Sequence, residues 1–155
     1  MSLAIVYTRA ALGIEAPLIT VEVHLSNGLP GLTMVGLPET TVKEARDRVR
    51  SALINSGYAF PAKKITINLA PADLPKEGGR YDLPIALALL VASEQLNTTR
   101  LNQYEFVGEL ALTGGLRGVP GAIPSAMEAI KAGRRIVVSS DNAAEVGLIG
   151  GSDCL

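Results

Sequence analysis

The stretch ITVEVHLSNGLPGLTMVG, residues 19–36, decides the fold class. Ile19, Val21, Val23 and Leu25 alternate with Thr20, Glu22 and His24. A period of two turns one side of a strand towards a core and the other towards water. Asn27-Gly28 follows, a dipeptide favoured in tight hairpin turns because both central residues there adopt positive φ. LTMVG, residues 32–36, then reads as a second strand, so a β-hairpin is expected. The apolar run at residues 3–8 is expected as an edge strand before it. Strands that pair locally ahead of any helix point to an α+β domain of two layers rather than a doubly wound parallel sheet.

Residues 38–56 carry the clearest helical pattern, with Val42, Ala45, Val49, Ala52 and Leu53 on one face. Thr41 and Glu44 have capping-box spacing. Glu39 with Lys43, and Glu44 with Arg48, are spaced as i,i+4 ion pairs. Gly57 suits the helix end, where a left-handed residue is wanted. Ile65, Ile67 and Leu69 mark a further strand. A helix apolar on all sides is expected over residues 83–96, which implies burial on most faces. YEFVGELAL, residues 104–112, reads as a central strand, and TGGLRGVPGA, residues 113–122, as a glycine-rich turn. A helix over residues 123–132, closed by Gly133, leads to the strand RRIVVSS, and Asp141 is placed to cap a short last helix. The final GGSDCL falls where another strand is due, so the 155 residues are expected to be one domain cut from a longer protein.

Composition narrows the functions. Hydrophobic residues make up 48% of the chain, enough to build a core at this length. The longest apolar run is about half of what a membrane span needs, and without a charged-then-apolar stretch ending in a small-residue cleavage site a secreted form is not expected. A cytoplasmic, membrane-free protein is expected. One cysteine, Cys154, rules out an internal disulfide and a cysteine zinc cluster. Fourteen basic and fifteen acidic residues give no overall basic excess of the kind dedicated nucleic-acid binders show.

The remaining motifs bear on possible sites. A phosphate-binding Walker loop needs Gly-x-x-x-x-Gly-Lys-Ser/Thr; Gly114, Gly115, Gly118 and Gly121 lack the lysine and the hydroxyl, so they are expected to serve a backbone turn. His24, the only histidine, lies beside Glu22 on a polar strand face, with too few neighbours for a metal site. The helix from Pro38 presents Lys43, Arg46, Arg48 and Arg50 among Glu44 and Asp47. That is either a solvated face or a contact surface for a partner subunit or a phosphate backbone. The loop PKEGGRYD, residues 75–82, sets Lys76, Glu77, Arg80 and Asp82 around Gly78-Gly79 at a helix start. Asp82 is placed to cap that helix and to occupy its positive end, which leaves the loop open to a structural or a binding reading.

The longer segments VEVHLSNGLPGLTMVGLPETTVKEARDRVRSALINSGY, INLAPADLPKEGGRYDLPIALALL and FVGELALTGGLRGVPGA resemble the N-terminal region of the bacterial magnesium-chelatase-like ATPases of the YifB/ComM branch. The resemblance covers essentially the whole chain. In that family this region precedes an AAA+ module, which would supply the binding of ATP and Mg; the segment itself needs no cofactor. The region is also similar to the proteolytic domain of Lon and to the C-terminal domain of the RadA/Sms repair protein. Those share a two-layer α+β sandwich with the second domain of a small-subunit ribosomal protein.

That likeness implies a register for catalytic residues. The Lon serine opens an apolar helix within a Pro-Lys-Asp-Gly-Pro-Ser-Ala-Gly pattern; in PKEGGRYDLPIAL its position falls near Arg80. The Lon lysine follows a GGLK pattern; here its position falls near Pro124, with Ser125 next to it. A serine–lysine dyad needs a nucleophile beside a neutral amine, so no catalytic residue is expected. The resemblance implies a noncatalytic domain of a hexameric, ATP-driven DNA motor linked to branch migration in natural transformation. Its partners would be its own AAA+ module, neighbouring subunits and DNA. Lys76, Arg80 and Arg117 are the expected contact residues. The alternatives are a divergent peptidase or hydrolase using Ser125 or another serine, and a domain that only packs subunits. Nothing in the chain implies insertion of magnesium into a porphyrin.

Overall fold

The computed structural model describes residues 2–148. Its centre is a six-stranded mixed sheet. Strand β1 (Ser2–Arg9) runs antiparallel to β2 (Leu18–Ser26), in register from Ser2 opposite Leu25 to Arg9 opposite Leu18. The other edge of β2 pairs antiparallel with β4 (Lys64–Ala70), and β3 (Gly31–Val35) lies outside β4, parallel to it. Beyond β1 come β5 (Tyr104–Phe106) and β8 (Arg135–Val137), both parallel. The order is β3-β4-β2-β1-β5-β8. Four helices join this sheet, which agrees with the expected α+β class at that level.

Two expectations are corrected here. The strands flanking Asn27-Gly28 form no hairpin, because β4 sits between them. The reason is burial. The pairing of β2 with β4 sets Val21 beside Leu69, Val23 beside Ile67 and Leu25 beside Ile65, all buried on one face. No residue of β3 is fully buried, so it would return much less to β2 than β4 does. Cross-strand apolar pairs of this kind outweigh a local turn preference. Instead, β3, the helix α1 (Glu39–Asn55) and β4 make a parallel strand–helix–strand unit. Nor is β1 an edge strand: β2 and β5 flank it on either side.

The buried face of the sheet, with Val6, Ile19, Val23 and Ile67, packs on α2 (Asp82–Ala92) through Ile85 and Leu89, and α1 adds Val49 and Leu53. The opposite face leaves Leu3, Ile5 and His24 exposed. A second, smaller core joins β8 to α3 (Ala122–Lys131) and α4 (Ser140–Gly147) through Ala126, Ala129, Ile136, Val138 and Val146. Helix α1 ends as foreseen: Gly57 has φ +89°, the Tyr58 amide donates to Leu53 O and the Gly57 amide to Ile54 O. Its start differs, since Pro38 holds the cap position and no side chain caps it; Thr41 lies inside the helix. Helix α4 is capped by Ser139, whose Oγ accepts from the Asp141 amide, rather than by Asp141.

The expected strand over residues 104–112 breaks in two. After β5 the chain turns at Gly108, whose amide donates to Arg80 O and whose carbonyl accepts from the Leu83 amide. It continues as β6 (Glu109–Leu110), which pairs antiparallel with β7 (Leu116–Arg117). Part of the glycine-rich turn is therefore a small hairpin, and Gly114 there takes φ +98°. Cys154 and the strand expected after α4 lie outside the described residues.

Candidate functional site

The loop that links β4 to α2 folds into the molecule rather than over it. Lys76 is 3% exposed, and its ammonium donates to Pro71 O and Leu74 O, at 2.5 and 3.1 Å. It ties the loop to its own backbone, and burial pushes its pKa down against the pull of Asp73. Arg80 is 4% exposed. Its Nε donates to Arg9 O at 2.9 Å, Nη1 to Pro120 O at 2.8 Å and Nη2 to Ser125 Oγ at 2.7 Å. One guanidinium thus joins the end of β1, the turn after β7 and the first turn of α3. Its acceptors are neutral, and burial lowers its pKa. Of the three expected contact residues, Arg117 alone is exposed.

Asp82 does not cap α2. The helix start is satisfied by backbone: the Asp82 amide donates to Gly79 O, the Leu83 amide to Gly108 O, and Pro84 has no N–H. The carboxylate is left for long-range use. It accepts from Arg48 Nε at 2.6 Å and Nη2 at 3.2 Å, and from the Leu110 amide at 3.1 Å. Asp82 is fully buried and Arg48 partly so. Burial pushes the Asp82 carboxyl up to about 6, against the opposing pull of Arg48 and the Leu110 amide, while the hydrogen bond to Asp82 raises Arg48. The pair locks α1, α2 and β6 together. It also removes Arg48 from the expected i,i+4 partnership with Glu44.

Around Arg80 lies a cleft of about 540 Å³, lined among others by Leu12, Gly13, Glu77, Gly78, Glu109 and Pro120. The two glycine-rich segments therefore meet, as Gly78-Gly79 and Gly118 border the same cleft. Gly79 has no room for a side chain while Glu109 stays put: a Cβ would come within 2.2 Å of Glu109 Oε1. The residues near the two register positions also meet, since Arg80 bonds to Ser125, the neighbour of Pro124. Ser125 is fully buried and accepts from a guanidinium. Among the described residues no amine or imidazole is hydrogen-bonded to it, as a serine nucleophile would need. The buried hydroxyl of Tyr81, the residue after Arg80, finds no hydrogen-bond partner among the described residues, and burial pushes its pKa up to about 12.

Residues 21–142 match the family described as subunit ChlI of Mg-chelatase. The chain belongs to the ChlI family. Over its full length it is 79% identical to the protein YifB of Escherichia coli K12, of which it covers 31%. It is 64% identical over 149 residues to the competence protein ComM of Haemophilus influenzae, 96% of this chain and 29% of that one. A Mycobacterium tuberculosis protein is 38% identical over 154 residues, with 31% of its length covered. The chain thus spans about a third of these relatives. The glycines that might cradle phosphate form the β6–β7 hairpin, and the Gly118 and Val119 amides are taken by Asp141 and Asn142. Among the described residues no three His, Cys, Asp or Glu side chains cluster to hold a metal, and no helix is long and apolar enough to cross a membrane.

Sequence reasoning missed Arg48–Asp82, the contribution of the loop around Leu12 to the cleft, and the contact of Gly79 with Glu109. The first had one signal: Pro84 and Gly79 at the start of α2 make a side-chain cap less necessary.

Proposed function

We propose that this segment is a noncatalytic, Lon-protease-like domain at the N-terminus of a ComM-type AAA+ ATPase, where it serves assembly, regulation or DNA engagement. One observation carries the noncatalytic part. The position near which a dyad serine would stand holds Arg80, the one near which its lysine would stand holds Pro124, and the neighbouring Ser125 hydroxyl is buried against the Arg80 guanidinium. Such a pair braces a fold; it does not attack a carbonyl. The resemblance to ComM supports the rest: an ATP-driven hexamer that acts on DNA, with ATP and Mg bound by a module outside these residues. Arg117, exposed on β7, is the one residue of the original three that can meet a partner without unfolding the loop.

The experiment compares the longer ComM-type protein with a version lacking this segment. The expected result is weaker hexamer formation in sedimentation, lower DNA affinity, or both, with no labelling of the segment by a serine-reactive fluorophosphonate. Unchanged assembly and DNA binding would refute the reading, and labelling at Ser125 would refute its noncatalytic part.

A further inference from the structure

The basic face of α1 fits a solvated surface, a partner subunit or a phosphate backbone, and the structure separates its cations. Arg48 turns inward to Asp82. Arg46 and Arg50 instead line a groove of about 410 Å³ between α1 and the segment that leads into β4. They lie one helical turn apart, about 6 Å along the axis. Lys63 stands on the opposite wall, exposed, with its ammonium 3.2 Å from Asn27 Oδ1. The floor is apolar, with Leu32 and Phe60, and the Arg50 guanidinium lies 5.7 Å from the Phe60 ring centroid. The single carboxylate in the lining, Asp47, is 3.9 Å from Arg46 and exposed, a contact worth little in water.

This arrangement stands apart in a chain whose net charge is −1. The cleft at Arg80 carries two carboxylates, and its one guanidinium already serves internal acceptors. The cleft bordered by Leu96 carries Glu94, and the one beside Gly36 pairs Asp73 with a buried Lys76. Of these, the α1 groove alone has an excess of cations with solvent-accessible side chains, and they sit on both walls. A charged concavity over a low-dielectric floor concentrates its field on what enters.

We propose that the α1 groove binds the phosphate backbone of a nucleic-acid strand, with Arg46 and Arg50 on one wall and Lys63 on the other. This rests on the DNA-engagement part of the function proposed above and assigns it a surface. Three neutralised phosphates give a plot of log affinity against log salt a slope of roughly −2 for a single strand.

The test is fluorescence anisotropy of the 155-residue chain with a short labelled single-stranded oligonucleotide, over a salt series. Arg46→Gln with Lys63→Gln removes one cation from each wall and leaves Arg50 on Phe60. Binding is expected to fall about tenfold, and the salt slope to flatten from roughly −2 towards −0.7. Arg100→Gln with Lys131→Gln removes the same charge from exposed sites elsewhere and is expected to bind as the parent does. Circular dichroism melts of both variants establish that they are folded. Equal losses in the two variants would overturn the groove assignment, and so would displacement of the oligonucleotide by polyglutamate at equal charge concentration. Undiminished binding by the groove variant would leave DNA engagement standing and place it on another surface. If the parent chain binds no oligonucleotide at low salt, DNA engagement by this segment fails with the groove.

Discussion

Replacing Arg48 by methionine tests the buried junction of α1, α2 and β6. Asp82 is fully buried, and its carboxyl already titrates near 6, above its ordinary value of 3.8. A carboxyl raised on folding adds stability that is complete below the unfolded value and is lost as pH rises through the folded one. For Asp82 that window runs from about 4 to about 6. Without Arg48, the folded carboxyl moves further up, and each further unit adds about 1.4 kcal/mol to the cost of ionising it. At about pH 8 the variant should therefore lose about 3–5 kcal/mol, the cost of a buried charge left without its partner. At about pH 5 the carboxyl is protonated and the loss should shrink to about 1 kcal/mol, the order of one hydrogen bond. Urea denaturation across that range measures the difference directly. In an Asp82→Asn background the same replacement should cost nearly the same at every pH. A destabilisation by Arg48→Met that is flat with pH, or smaller in alkali, would refute the reasoning.

Glu105 is fully buried between Arg9, at 2.6 Å, and Arg134, at 3.0 Å. Glu105→Ala should cost about 3–5 kcal/mol in urea unfolding, because Arg9 is left buried without a counter-charge. Ser125→Ala removes one acceptor from the Arg80 guanidinium and should lower stability by about 1.5–3 kcal/mol, as read from the urea midpoint. Gly79→Ala sets a Cβ against the Glu109 side chain, a flexible group that can swing away. A loss of about 1 kcal/mol is expected, and it should vanish in a Glu109→Ala background, since the two residues are in contact.

What could be read from the sequence was what depends on near neighbours. The alternation in β2 and β4, the closing glycines at Gly57 and Gly133, and the all-apolar α2 are set within a few residues, and the structure has them, with α2 ending at Ala92 rather than at the expected Leu96. The pairing of strands was not legible, because β4 competes with β3 for β2 and wins through buried pairs that no local pattern reveals. The same holds for the site. Gly78-Gly79 and the second glycine segment could each be singled out, yet the fate of every cation depended on distant acceptors: Pro120 and Ser125 for Arg80, and Asp82 for Arg48. Exposure could not be inferred either, since Lys76 and Arg80 sit in a loop rich in charge and glycine and are nonetheless internal.

The insertion of β4 between β2 and β3 has a consequence for how the chain matures on the ribosome. When β2 and β3 have both emerged, they are not partners, and one long edge of β2 waits for residues that follow α1. Long-range pairing of this kind is slow to form, and an unpaired apolar strand edge is exposed to aggregation in the meantime. Until Ala70 has left the ribosome the chain carries β2 with that edge bare; once it has, the four-stranded half of the sheet can close.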